Sequence, residues 1–538
     1  SLPLFLMLLP RLEGSRQADE FGAKTYYYLG RAYGYLDREL ESAVCYEQGF
    51  TLYPSDEDFA PKLADLWLKA ATRFRDKASG DADLNAFYTG AIEAVKATSA
   101  APDQAIWGDA EGKYERAKEI CKVADGKGAV SPEAISALDA LDEAKRAYRS
   151  IQRGSRYFER AMIKQALCDY RGGTWDPARW ELSFKGFNDY LEVYIQDPEN
   201  APADAVARKA RVEEAARADY YRGRIRFEEA VAGDESAWQK VLTQFDGYIG
   251  RHPDQAKSYG VDTLLRSIQA LIALGRIDAA IAKFEEVSSG DYGDGSVASA
   301  ANALFSYYFD LSEKSADDAQ RSAKQAAANY LYIFNQRNDR PSWSYRVREG
   351  RLRAEIGEPA TAAKIFEDVL SRFTLEGSNE FFVQMDLVDA YLAQDKTGAA
   401  RPIIDAILDP RTKKNPRVLE AAVKVYAGWA EVREGRVVEI LGVNTPEAFN
   451  EAAEMNTTLQ QIAEKQADDQ GVNRYRYPPY IQARLQYAYL LYRWGLVAPD
   501  RAGKHLDLVN SFERLVPDFG AEVCGEDVPR IFRWLQTR

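Results

Sequence analysis

Residues 24–33 read Lys-Thr-Tyr-Tyr-Tyr-Leu-Gly-Arg-Ala-Tyr, and residues 42–54 read Ser-Ala-Val-Cys-Tyr-Glu-Gln-Gly-Phe-Thr-Leu-Tyr-Pro. Tyr26, Leu29 and Tyr33 recur three and four residues apart, the period of one face of an α-helix and not the alternation of a strand. Gly30 and Ser42 are small, so two antiparallel helices carrying them can approach closely. Tyr26, Tyr33 and Tyr46 fill the space around that crossing. Pro54 lacks the N–H that a continuing helix would need. The stretch therefore predicts a helical hairpin with a defined stop.

The offsets recur down the chain. Leu264, Leu271, Gly275, Ala280, Phe284 and Val287 keep them, as do Gly350, Gly357, Ala362, Phe366 and Val369, and then Leu387, Tyr391, Ala400, Ile404 and Ile407. Between Phe284 and Phe366 there is room for one more pair, supplied by Leu304 to Phe334 with Tyr307, Tyr308 and Tyr330. This pattern resembles the tetratricopeptide repeat, W-x2-L-G-x2-Y followed by A-x3-F and a closing proline, a unit of about 34 residues. The resemblance implies an all-α chain, an α-solenoid of antiparallel helix pairs in a TPR-like superhelix. The markers thin out over residues 75–150 and 411–470, which still read as helical. Arg353 stands where an aromatic is usual, and Tyr292 replaces the closing proline.

Punctuation agrees with this reading. Ser131-Pro132-Glu133 and Thr445-Pro446-Glu447 read as N-caps followed by proline at the first helical position. Pro54, Pro253-Asp254 and Pro517-Asp518 read as helix stops beside the next start. No segment reads convincingly as a strand. The glycine-rich loop Ser288–Gly295 divides an N-terminal half, residues 21–290, from a C-terminal half, residues 291–538. Residues 1–20 are set apart as an apolar arm or the remnant of a secretory signal. The run Leu2–Pro10 is too short for a span of about 20 residues, and it resembles the apolar part of such a signal. A periplasmic or envelope-associated location follows as the expectation, with the cytoplasm as the alternative.

Composition narrows the function. Among 538 residues, 70 Lys and Arg face 83 Asp and Glu, a net charge of −13 that speaks against a general polyanion binder. Two histidines and four cysteines leave little for a zinc site or a histidine relay. Cys45, Cys121, Cys168 and Cys524 are far apart and read as small buried apolar residues. The loop at 288–295 is followed by Ser296-Val-Ala, not by the lysine and hydroxyl of a phosphate cradle, and its aspartates miss the EF-hand register. Asp317-Asp318 and Asp468-Asp469 read as exposed helix-flank charge. His252, at a helix end, and His505, on a polar helix face, read as structural or solvated. No catalytic residue, cofactor or metal is expected.

What the resemblance implies is a surface lined by the first helix of each pair. Carried onto this chain, its binding positions are Lys24, Tyr27, Arg31 and Tyr35 in the first repeat and Val347, Arg348, Arg351 and Glu355 in the repeat near 345. Tyr and Arg are common binding hot spots. The expectation is a non-enzymatic scaffold that binds other proteins and assembles a multi-protein complex. An alternative arises from two arginine-rich runs, Arg340, Arg346, Arg348, Arg351 and Arg353, then Arg411, Lys413, Lys414 and Arg417. These could present Arg-rich faces to nucleic acid or another anionic polymer.

Overall fold

The computed structural model describes residues 6–7, 10–11, 18–36, 38–77, 82–98, 103–202, 205–340, 342–409, 411–515 and 521–538. Most of the N-terminal arm and the stop at Pro517-Asp518 lie outside these residues. The chain divides into two compact units, Ser1–Glu286 and Val287–Arg538.

In the first unit, helices pair in sequence: α1 (Ala18–Gly34) with α2 (Glu39–Leu52), α3 (Ala60–Lys77) with α4 (Ala82–Thr98), and α5 (Asp103–Ala124) with α6 (Pro132–Arg149). Next come α7 (Phe158–Gly172) with α8 (Ala178–Asn188), then α9 (Ala205–Val231) with α10 (Ala237–Phe245). Helices α11 (Val261–Ala273) and α12 (Ile277–Ser289) follow, and the division between units falls inside α12. The hairpin read from residues 24–54 is α1 and α2. A side chain at Gly30 would place its Cβ 2.3 Å from the Tyr46 ring, and Ser42 donates its hydroxyl to the Gly30 carbonyl at 2.7 Å. Small residues thus set the distance between the rods, and Tyr26, Leu29 and Tyr46 close over the crossing, each buried.

The second unit repeats the device. Helices α13 (Asp294–Lys314) and α14 (Asp317–Arg337) pair, as do α15 (Trp343–Glu355) with α16 (Pro359–Arg372) and α17 (Ser378–Leu392) with α18 (Thr397–Ile407). A Cβ at Gly350 would fall 2.5 Å from the Phe366 ring, the same small-against-aromatic contact as at Gly30. Tyr308 of α13 stacks on Tyr330 of α14, centroids 5.7 Å apart. Helix α19 (Pro416–Ala427) then leads to α20 (Pro446–Asp469), α21 (Pro478–Val497), α22 (Lys504–Leu515) and α23 (Asp527–Gln536). The caps fall where the sequence placed them: Ser131 accepts from the Ala134 amide and Thr445 from the Ala448 amide. The architecture is all-α, of antiparallel helix pairs with tetratricopeptide-like packing.

One expectation fails between α19 and α20. Strand β1 (Trp429–Arg433) pairs antiparallel with β2 (Arg436–Ile440), Trp429 opposite Ile440 and Arg433 opposite Arg436. The turn residues Glu434 and Gly435 both have positive φ, 48° and 76°. Such a primed turn matches the twist of a hairpin but favours asparagine or aspartate before the glycine, so Glu434 hid it. Ala430 and Val432 then turn one face onto the core of α21 and α23. Arg433 pairs with Asp395 beyond α17.

Of the two readings of His505, structural or solvated, the first holds, and only its placement on a polar helix face is corrected: it is 4% exposed, its ring edge-on to Tyr492 at 5.4 Å. Burial holds its pKa below the ordinary histidine range, outweighing the opposite pull of the Leu535 backbone. The unfolded chain therefore binds a proton more readily than the folded one, so stability rises with pH across this transition. The contribution of neutral His505 is complete above the unfolded value of about 6.5 and is lost as pH falls below it. His505→Phe is expected to flatten the acid-side decline by up to about one proton, about 1.4 kcal/mol per pH unit. Denaturant unfolding at pH 7, 6 and 5 checks this, and equal slopes for the two proteins would refute it.

The cysteines are free, three of them buried and Cys524 partly exposed. Burial pushes the Cys45 thiol up to about 11 and that of Cys168 to about 12. Among the described residues no helix is long and apolar enough to cross a membrane, and no cluster of histidine, cysteine and carboxylate side chains could hold a metal ion.

Candidate functional site

In the second unit the first helices of successive pairs, α13, α15, α17 and α19, supply the walls of two adjoining cavities. One of about 700 Å³ is lined by Arg351, Glu355, Asp386, Asp389 and Arg417 over a floor that includes Phe366. The other, about 460 Å³, is lined by Phe309, Trp343, Val347, Arg348 and Phe382, and it shares Arg351 and Glu355 with the first. The α15 residues picked from the sequence are thus brought together along one groove. Their roles differ. Val347 is buried and belongs to its floor, while Arg348, Arg351 and Glu355 are exposed along it.

A charge ladder runs along the first cavity. Arg351 donates through Nε to Asp386 at 2.7 Å, and Arg417 donates through Nη2 to the other oxygen of Asp386 at 2.8 Å and through Nε to Asp389 at 3.1 Å. Burial works against the charge on Arg417, yet its hydrogen bonds to Asp386 and Asp389 hold its pKa above the ordinary value. Glu355 is paired with Lys324 at 2.7 Å. Arg348 differs: its guanidinium lies 5.1 Å from the Phe309 ring and has no carboxylate partner among the described residues. With Trp343 and the half-exposed Phe382 beside it, this end of the groove offers one uncompensated cation among aromatic rings.

The ladder is periodic. Phe366 and Ile404 occupy the same repeat position 38 residues apart, so Asp386 and Asp389 stand in α17 where Arg348 and Arg351 stand in α15. One repeat presents cations on this face and the next presents anions. Asp386 and Asp389 were missed from sequence because the binding face was carried onto only two repeats; carrying it one unit further marks both.

In the first unit, Lys24, Tyr27 and Arg31 of α1 and Tyr35, in the turn that follows it, form a stripe. Arg31 donates to the Tyr35 hydroxyl at 2.7 Å and to the Tyr27 hydroxyl at 3.4 Å. Tyr27 also packs edge-on to Phe59 at 5.5 Å, so part of its surface serves the core edge. Tyr35 is 77% exposed and Lys24 is exposed.

The arginine run of α15 is largely neutralised from within. Arg346 bonds Glu349 and Asp368, Arg351 bonds Asp386, and Arg353 bonds Glu358. It is a lattice of ion pairs between neighbouring helices rather than a basic face.

No family model and no curated protein matches the chain. Among the solved structures that align over nearly all of it are two of different kinds. One is Naa15/Naa10 bound to HypK-THB, 11% identical over 100% of this chain and 96% of that chain, with a TM-score of 0.19. The other is the human IFIT1 dimer with m7Gppp-AAAA, 10% identical over 95% of each chain, with a TM-score of 0.22. Values this low leave the architecture to rest on the helix pairs themselves.

Proposed function

We propose that this chain is a non-enzymatic scaffold that binds other proteins and assembles them into a complex, with the α13–α19 groove as a receiving surface. The observation that carries it is the pairing of an open groove with Arg348, an unpaired cation set against Phe309 beside Trp343 and Phe382. An extended segment of a partner could place an acidic side chain on Arg348 and an apolar one on Phe382, while the Arg351–Asp386–Arg417 ladder keeps the groove wall in place. Aromatic and arginine side chains in desolvated pockets contribute most to such contacts. An envelope location, expected from the apolar run Leu2–Pro10, is part of the proposal. The anionic-polymer reading has less support, because the α15 arginines spend their charge on neighbouring carboxylates.

Affinity capture of the full chain from the envelope fraction of native cells tests the reading. The double variant Arg348→Glu, Phe382→Ala is expected to melt like the wild type, since both side chains are exposed, and to bind the captured partner at least tenfold more weakly, about 1.4 kcal/mol. Unchanged partner affinity in the variant, or turnover of a small molecule by the purified chain, would sink it.

A further inference from the structure

The first unit has a cavity of its own on its first helices. It measures about 340 Å³ and is walled by α5, α7 and α9 with the α7–α8 turn: Tyr170 and Arg171 from α7, Trp175 and Trp180 beyond it, and Tyr221 and Glu228 from α9. Both tryptophans are only 7% exposed, and neither indole N–H has an acceptor. That of Trp180 packs over Gly173, where an added Cβ would lie 2.0 Å from it.

Arg171 is the exception among its peers. In this unit the other half-buried arginines whose side chains are described, at positions 179, 211, 217, 222, 224, 226 and 266, each have a carboxylate within ion-pair distance. Arg171 has none among the described residues. Its Nε is occupied by the Tyr114 hydroxyl at 3.1 Å, which fixes the guanidinium plane. Among the described residues the two terminal nitrogens have no such bond.

We propose that this cavity binds a carboxylate carried on an aromatic or apolar stem, with Arg171 as its cation. A guanidinium with both terminal nitrogens free matches the two oxygens of a carboxylate in a planar, bidentate fork. Partial burial strengthens that attraction relative to water, and the four aromatic rings accept the stem. The volume lies at the lower end of ligand sites, about 300–1,000 Å³, enough for one side chain or a small acid. Lys118 and Lys122 also line the cavity, but each is paired with a glutamate of its own helix at 2.7 Å, and the carboxylates of Asp125 and Glu228 argue against a dianion such as phosphate. Glu228 is already held by Arg224 at 2.6 Å and by the Tyr170 hydroxyl at 3.2 Å. The site is distinct from the α13–α19 groove and does not depend on its role.

Calorimetric titration of the full chain tests the assignment with two pairs of probes: 3-phenylpropionate against 3-phenylpropionamide, and acetyl-Phe-Glu-Phe-amide against its Gln counterpart. At least one acid is expected to bind at least tenfold more tightly than its amide, and Arg171→Gln is expected to remove that preference. Preference for the free acid alone assigns a small-molecule carboxylate, and preference for the peptide assigns an acidic side chain of a partner. The comparison of acid with amide uses wild-type protein, so it holds even if Arg171→Gln folds poorly. Binding of neither acid, equal binding of acid and amide, or an acid preference that survives in a folded Arg171→Gln protein would overturn the proposal.

Discussion

Gly428→Val is expected to cost the second unit about 4 kcal/mol, against about 5–15 kcal/mol that holds a typical domain together. Gly428 caps α19 with φ 77° and ψ −174°, a backbone conformation close to exclusive to glycine. A Cβ there would also fall 2.1 Å from the Ile440 carbonyl oxygen and 2.7 Å from the Gly442 amide nitrogen. Both obstacles are backbone, so no rotamer change relieves them. The crowding has a cause: the chain leaving β2 crosses back over the end of α19, with Val443 donating to the Val425 carbonyl at 3.1 Å and Asn444 to the Tyr426 carbonyl at 3.2 Å. Two glycines let the segments touch. Gly435→Asn is the matched control, because asparagine tolerates a left-handed φ better than other side chains and an added Cβ meets only the tip of Arg530. It should stay within about 1 kcal/mol of wild type. Denaturant unfolding of the three proteins decides, and a Gly428→Val protein as stable as the wild type would show that this crossing yields.

What could be read from the sequence was whatever depends on residues close together in it. Gly30 meets Tyr46 and Gly350 meets Phe366 within one hairpin, and each pair is readable because a small residue and a large one sit at fixed offsets. The caps at Ser131 and Thr445 are more local still. The hairpin at 429–440 was hidden for a different reason: its turn begins with Glu434, and both flanking segments are short. Partner choice was the least legible. Arg351 reaches Asp386 across 35 positions and Arg417 reaches it across 31, so a run of arginines that looks basic in sequence is compensated by a different helix. The converse holds for Arg171, which has no mark in Leu167-Cys-Asp-Tyr-Arg171. Only the meeting of three helices decides that carboxylates elsewhere are spoken for and this guanidinium is left open.

That pattern of compensation bears on how the solenoid is held. A helix pair in this chain buries one face against its own partner and another against the next pair, so adjacent repeats need an adhesive that tolerates small changes of angle. Directional ion pairs between first helices supply it, and exposed ones contribute only about 0–1 kcal/mol each. Buried ones weigh more when broken, because the surviving partner is left charged and poorly solvated.

Asp219 is a buried case, held within one helix pair, and Asp219→Ala is expected to destabilise the first unit by about 3–5 kcal/mol. The carboxylate of α9 is 6% exposed. It accepts from Gln244 of α10 at 2.8 Å, from Arg251 through Nη2 at 2.9 Å and Nε at 3.2 Å, and it meets His252 Nε2 at 3.1 Å. His252 is thereby structural: its ring stands 4.9 Å from that of Tyr248, whose hydroxyl in turn bonds the Ala216 carbonyl at 2.8 Å. One carboxylate therefore ties the end of α10 and the following turn onto α9. Burial alone would push its pKa up, but the hydrogen bonds from His252 and Arg251 prevail and hold it below the ordinary carboxylate value. With the folded value depressed, its stabilisation is complete above the unfolded value of about 3.9 and is lost as pH falls through the folded one. The gap between wild type and Asp219→Ala should be full at pH 7 and shrink below pH 4. Asp219→Asn, which keeps an acceptor for Gln244 but loses the charge that Arg251 and His252 share, should fall between them. Unfolding curves at pH 7 and 3.5, with hydrogen exchange over residues 205–273 to localise the loss, would settle it. A gap that stays constant across that range would mean that packing, and not the buried charge, joins these helices.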